Sequence, residues 1–276
     1  MDYNKPTDVV ANMIEAGRTK LGLSPRDLLV RGILAGAILA TATTLAFGAA
    51  VSTGQSLVGA IIFPVGLVMI VMLGLELVTG SFALLPLAHL EHGILRERVL
   101  ANWGWVFLGN LIGSVAYGVL FAIALTNMGT IDPAGVAAQV VKVSEAKTIG
   151  YAASGTAGLV TVFVKAMLCN WLVCLGVVMF MTSTSTVGKI VATWLPITTF
   201  FAQGYEHAVV NMFVIPTGMM MGAKVSVAEW WLWNQIPVTL GNVIGGAVFT
   251  GLALYLTHKP KPAAKSATSA APVAAE

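Results

Sequence analysis

Between about residue 28 and residue 257 the chain returns again and again to apolar runs longer than the roughly 20 residues a helix needs to cross about 30 Å of hydrocarbon. No other feature restricts the fold so strongly. Lipid offers no hydrogen bonds, so a spanning segment must satisfy its own backbone as a helix or share it around a closed barrel. A barrel would alternate apolar and polar residues in strands of about 10, and that alternation is absent. With 57% hydrophobic and 10% charged residues and a mean hydropathy of +0.85, the composition lies outside the range of a soluble domain. The expectation is an all-α, polytopic membrane protein. The net charge of +3 is scattered, which leaves no footprint for nucleic acid.

Three regions follow. Residues 1–26 form an N-terminal segment whose PTDVVANMIEAGRTKLG (6–22) reads as an amphipathic helix on the membrane surface, with Thr7 as its cap. No apolar stretch with a cleavage site precedes it, so no removable signal is expected. Residues 27–257 form the spanning domain, with spans near 28–51, 57–90, 99–126, 152–181, 187–221 and 228–257 and a polar segment at 127–151. Residues 258–276, rich in Ala, Pro and Ser, are expected to be a disordered tail. With both termini inside, inner segments carry eleven Lys and Arg (5, 18, 20, 26, 31, 96, 98, 189, 259, 261, 265) and outer ones three (142, 147, 224). That bias predicts six spans with both ends cytoplasmic.

Spans two and five are too long. A straight helix from Lys189 to Lys224 would measure about 51 Å, so Gly and Pro are expected to break it. The two long spans also resemble each other. LGLELVTGSFALLP (73–86) and QGYEHAVVNMFVIP (203–216) share Gly, any residue, Glu, then Pro ten residues after the Glu, offset by 130. LGNLIGS (108–114) and LGNVIGG (240–246) are offset by 132, and RGILAG (31–36) and KAMLCN (165–170) by 134. A unit of three spans reinserts its second copy upside down. The predicted architecture is two inverted three-helix repeats with helices two and five interrupted, an arrangement that puts sites near the midplane. Residues 76–81 and 206–211 fall there.

An acid, an imidazole and an amide at Glu206, His207 and Asn211 therefore sit in the membrane, where polar groups mark function more often than packing. Helix breaks expose N–H groups that favour anions. Thr79 and Asn170 add neutral hydrogen-bonding groups. Glu76 and Glu206 are read as structural, pairing with Arg31, Lys165 or backbone amides; Lys165 either faces the path or snorkels outward. Asn110 and Asn242 are expected to bond between helices that Gly109, Gly113, Gly241 and Gly245 let approach closely. Cys169 and Cys174 lie about 140° apart on a helix, so they form neither a mutual disulfide nor a metal site, and no cofactor is expected. A membrane hydrolase built on Glu206 and His207 lacks an adjacent Ser or Cys nucleophile. A water or neutral-solute channel remains a rival.

The strings ELVTG (76–80), KAMLCNWLVCLGV (165–177) and GYEHAVVNMFVIP (204–216), with the six-span layout, resemble the formate/nitrite transporter family over about residues 5–257. That resemblance implies a homopentamer of aquaporin-like protomers in a bacterial inner (cytoplasmic) membrane. Each protomer would pass small monovalent anions such as formate, nitrite or hydrosulfide. It places the family's histidine on His207, its asparagine partner on Asn170 and the loop threonine on Thr79. The outer constriction falls on Phe63, Leu67 and Phe200, and the inner one on Leu77, Val78 and Val210. One departure stands out: the family's vestibule lysine, 16 residues before the asparagine, is Ser154 here, and Lys147 lies 23 before it. His207 is expected to donate a hydrogen bond or a proton to the passing anion.

Overall fold

The computed structural model describes residues 2–259, and the expected disorder of the tail lies outside them from residue 260 onward. The described chain is helical, with no strand beyond an isolated bridge between Tyr3 and Ser183. The elements run α1 (Pro6–Leu21), α2 (Pro25–Thr53), α3 (Ser56–Ile62), α4 (Val65–Met72), α5 (Val78–His92) and α6 (Arg96–Thr126). Then come α7 (Val136–Ala146), α8 (Ile149–Ala152), α9 (Gly155–Phe180), α10 (Thr186–Ala202), α11 (Ala208–Met220) and a C-terminal helix, Val227–His258. Four of these, α2, α6, α9 and the C-terminal helix, are long and apolar enough to cross a membrane. The segment 127–151, read as a polar connection, is largely helical as α7 and α8.

Both long spans are interrupted. Gly74 ends the first piece at φ 62° and Gly204 the second at φ 64°, a left-handed turn that a side chain would strain. After each turn the chain runs extended, and a new helix starts at Val78 or Ala208. The break itself is thus 73–77 and 203–207, so Thr79, Ser81 and Asn211 belong to the first turns of α5 and α11 rather than to the gaps.

The four long helices pair in twos, α2 with α6 and α9 with the C-terminal helix. Glycines set both separations. A Cβ on Gly109 or Gly113 would strike the carbonyl oxygens of Leu29 and Ile33; one on Gly241 or Gly245 would strike those of Phe163 and Met167. Donor glycines are offset by 132 and the carbonyls they meet by 134. Because the clash is with backbone, Gly113→Val is expected to prevent stable packing of α2 on α6. Gly104→Ala, where a Cβ meets nothing within 4 Å, is the control. Yield of monodisperse protein and melting temperature in detergent measure both.

The N-terminal helix differs from expectation in two respects. Lys5, not Thr7, holds the N-cap position, because Pro6 begins the helix with the φ it already has. Its apolar face, Val9, Val10, Met13, Ile14 and Leu21, packs with Leu84, Leu85, Leu87 and Ala88 of α5 instead of facing lipid. Arg98 Nη2 and Asn102 Nδ2 donate to the carbonyls of Leu21 and Lys20, at 3.0 Å each, and tie down its end. This docking puts Lys20 beside the first break.

Candidate functional site

Two asparagines of the long helices hold the interrupted ones in place. Asn110 Oδ1 accepts the Val78 N–H at 3.0 Å, while its Nδ2 donates to Gly32 O and Glu76 O at 2.9 Å. Asn242 Oδ1 accepts the Ala208 N–H at 2.9 Å, and its Nδ2 donates to Ala166 O at 2.8 Å and Glu206 O at 3.0 Å. Each amide therefore caps one helix start and pins the carbonyl just before the N-cap residue to a neighbouring helix. Both halves use the same three bonds.

The halves diverge at the N-cap residue itself. That residue is Leu77 in the first half and His207 in the second, both in extended geometry. His207 Nδ1 accepts the Val210 N–H at 3.2 Å, so Nδ1 carries no proton and the ring hydrogen sits on Nε2. Nε2 lies 3.0 Å from Thr79 Oγ1 and donates to it. The Thr79 hydroxyl hydrogen then has no acceptor among the described residues. Neither have the N–H groups of Thr79, Gly80 and Val209. The starts of α5 and α11 thus meet around a cluster of unspent donors, buried to 0% exposure at Thr79 and 3% at His207.

Asn170, placed by the resemblance as the partner of the histidine, makes no hydrogen bond to it. Its Nδ2 donates to Thr79 O at 3.1 Å and Asn242 O at 2.6 Å, and its Oδ1 is buried without a partner. It positions Thr79, together with Cys174 Sγ, which donates to the same carbonyl at 3.2 Å.

The two glutamates pair differently from expectation too. Glu76 takes Lys20 Nζ on both oxygens at 2.7 Å, and Glu206 Oε2 takes Lys147 Nζ at 2.7 Å; neither carboxylate pairs with Arg31 or Lys165, and only the Glu206 backbone N–H reaches Lys165 O, at 3.5 Å. Both lysines come from segments outside the long helices, Lys20 from α1 and Lys147 from the end of α7. Glu206 is further bound by Tyr151 Oη at 2.8 Å and Asn211 Nδ2 at 2.8 Å. Burial first, then the Glu206 charge, push the Tyr151 phenol well above its ordinary range, so it stays a donor. Asn234 locks the cluster by donating to Lys147 O at 2.9 Å and accepting from Asn211 at 2.8 Å. It sits in a π-helical stretch, Trp231–Gln235, that hydropathy does not reveal.

These groups lie along a path of three spaces. A cavity of about 650 Å³ is walled by Lys147, Tyr151, Lys165, Phe200, Glu206 and His207. One of about 370 Å³ is walled by Lys20, Arg31, Leu67, Glu76 and Leu77. Between them is a void of about 10 Å³, scarcely a water's worth, lined by Phe63, Leu67, Leu77, Val173, Phe200 and His207. Phe200 and His207 border the void and the Lys147 cavity; Leu67 and Leu77 border the void and the Lys20 cavity. Phe63 packs edge-on to Phe200 at 5.6 Å, and Phe200 stacks on the His207 ring at 5.8 Å.

The six expected constriction residues divide differently from the anticipated three and three. Leu67 falls on the Lys20 side, being in α4 beyond the turn at Phe63 and Pro64. Val210 walls the Lys147 cavity, and Val78 lines none of the three spaces. Sequence reasoning missed Val173, Leu39 and Ile197, which line the void from apolar runs without any distinguishing mark.

The family model described as formate/nitrite transporter matches residues 7–256. The chain is 38% identical to a probable formate transporter of Methanothermobacter thermautotrophicus, over 93% of this chain and 97% of that one. It is 35% identical to an uncharacterized transporter of Bacillus subtilis, over 95% and 96%, and 32% identical to a formate channel of Bacillus thuringiensis, over 94% and 97%. Among solved structures it is similar to an FNT family ion channel, with a TM-score of 0.76 at 30% identity over 91% of this chain and 98% of that one. It is also similar to a pentameric formate channel with formate bound, with a TM-score of 0.69 at 28% identity over 84% and 97%. Interrupted apolar helices, a buried imidazole between two cavities and matches across nearly the whole length converge on one conclusion: this membrane protein belongs to the formate/nitrite transporter family.

Proposed function

We propose that the protein is a channel for small monovalent weak-acid anions, formate first and nitrite beside it, and not an enzyme. The observation that carries this reading is the contact of His207 Nε2 with Thr79 Oγ1 at 3.0 Å, at the void between two cavities. A bare anion in an apolar slit faces a desolvation cost of tens of kcal/mol in the limit, and one charged hydrogen bond returns about 1.5–3. Several donors must therefore converge. The Thr79 hydroxyl, oriented by the His207 ring, and the open amides of α5 and α11 supply them at the positive ends of two helices. A second ring proton would have to displace the Val210 N–H from Nδ1, so we assign His207 the role of hydrogen-bond donor through Thr79. A weak-acid anion that takes a proton from water in either cavity crosses the apolar slit as the neutral acid, which couples flux to pH.

The duplicated Asn110 and Asn242 caps support two inverted three-span repeats, helices two and five interrupted. By the distribution of Lys and Arg, the Lys147 cavity is the outer one and both termini are cytoplasmic; the family resemblance is what favours a bacterial inner membrane. The named relatives support formate as a substrate and, for one structure, a pentamer.

Uptake by proteoliposomes tests the reading. Formate and nitrite are expected to enter well above the rate of empty liposomes, with hydrosulfide compared alongside. Osmotic shrinkage with glycerol is expected to match protein-free controls. Glycerol flux without anion uptake would replace this reading with a neutral-solute channel.

A further inference from the structure

Each large cavity is walled by two cations, and in each only one is compensated. In the outer cavity Lys147 is bound to Glu206 at 2.7 Å. Lys165 stands on the same wall with no hydrogen bond or ion pair from its side chain among the described residues; the Tyr151 ring centroid lies 5.8 Å from its Nζ. In the inner cavity Lys20 is bound to Glu76 at 2.7 Å. Arg31 there has one long bond, Nη1 to Gly74 O at 3.5 Å, and no ion pair among the described residues. The remaining acid on that wall, Glu15, is taken by Arg18 at 2.6 Å. Both uncompensated side chains are half-buried. They are also 134 residues apart, the same offset as Leu29 to Phe163 and Ile33 to Met167, so they occupy matching places in the two halves.

A lysine held by a carboxylate presents almost no net charge to an ion arriving from water. A free cation on a concave, low-dielectric wall does, and its field is focused toward the opening. Lys147 is doubly committed, because the Glu206 it binds is itself gripped by Tyr151 and Asn211. Resting on the transport reading above, we propose that Lys165 and Arg31 gather the monovalent anion at the two mouths. The paired Lys147 and Lys20 hold the loops. Lys165 was open between facing the path and snorkelling, and Arg31 was expected only as a partner for a glutamate. Their freedom follows from the lysines that took the glutamates first.

The test is formate uptake by proteoliposomes carrying wild-type protein or the Lys165→Gln/Arg31→Gln double variant, which is altered at both mouths whichever way it inserts. A unit charge about 7 Å from the anion in water changes its local concentration roughly threefold. Because the two cations stand at opposite mouths and an entering anion meets one at a time, the double variant is expected to raise the half-saturating formate concentration by roughly threefold. Wild-type uptake at low formate is expected to fall as salt rises from about 10 to 300 mM, and this fall to vanish in the variant. Lys165→Arg with Arg31→Lys is expected to restore both. If the double variant does not assemble, Lys165→Gln alone carries the comparison, since that side chain makes no bond to lose. Unchanged half-saturation and salt dependence in the Gln variants overturn the assignment, as does a charge-conserving pair that behaves like the Gln pair. Wild-type protein that moves no formate, nitrite or hydrosulfide overturns the transport reading instead.

Discussion

Formate uptake is expected to fall by roughly one to two orders of magnitude when His207 becomes alanine, the equivalent of losing one hydrogen bond to a charged group, about 1.5–3 kcal/mol. The same substitution removes the N-cap of α11, because Nδ1 no longer accepts the Val210 N–H, and that costs about 1 kcal/mol of stability. His207→Asn separates the two effects. Its amide oxygen caps the helix as well as any residue does, and its amide nitrogen offers a donor toward Thr79. The Asn variant is expected to melt like wild type and to keep part of the uptake. Thr79→Val, which leaves the ring in place but removes the hydroxyl, is expected to match His207→Ala in transport without matching its stability loss. Uptake and its pH dependence in proteoliposomes, beside melting in detergent, resolve all three. An alanine variant that transports like wild type would remove the imidazole from the path. An asparagine variant that is stable yet inert would show that the ring must move a proton and not merely donate.

The second large effect lies outside the path. Asn242→Leu removes three buried hydrogen bonds, to Ala208 N, Ala166 O and Glu206 O, and orphans one N–H and two carbonyls. Bonds between membrane helices average about 0.6 kcal/mol and reach about 1.7, so three together are worth roughly 2–5 kcal/mol. Asn110→Leu removes the matching three and is expected to cost the same. Asn242→Asp, which keeps the acceptor for Ala208 N but turns a buried carboxyl oxygen on the Ala166 and Glu206 carbonyls, is expected to cost at least as much as Leu. Because the start of α11 positions His207, transport is expected to fail with stability in the Asn242 variants. Melting temperatures equal to wild type for both Leu variants would mean that the helix starts are held by packing alone.

Much of this was legible in the chain. The recurrent apolar runs and the excess length of spans two and five showed that both are interrupted, while the breaks themselves lie a few residues before 76–81 and 206–211, at the left-handed Gly74 and Gly204. The spacing of Gly109, Asn110 and Gly113 against Gly241, Asn242 and Gly245 located both helix contacts. His207 and Thr79 came from motif and resemblance, and the structure brings them together. The partners of the glutamates were not legible. Arg31 and Lys165 matched by register, yet Lys20 and Lys147 took the carboxylates once α1 and α7 folded over the loops. Likewise the amphipathic face of α1 could serve lipid or protein equally well, and only its docking on α5 chose.

By itself the sequence determined an all-helical membrane protein with two interrupted helices and a polar centre, since length, hydropathy and backbone satisfaction are demands each segment meets alone. Tertiary structure decided which charges are spent and which remain: Lys20 meets Glu76 across 56 residues, Lys147 meets Glu206 across 59, and Thr79 meets His207 across 128. Pairing over such distances depends on how the helices cross and which end of each comes to rest beside a loop, and no local pattern encodes that.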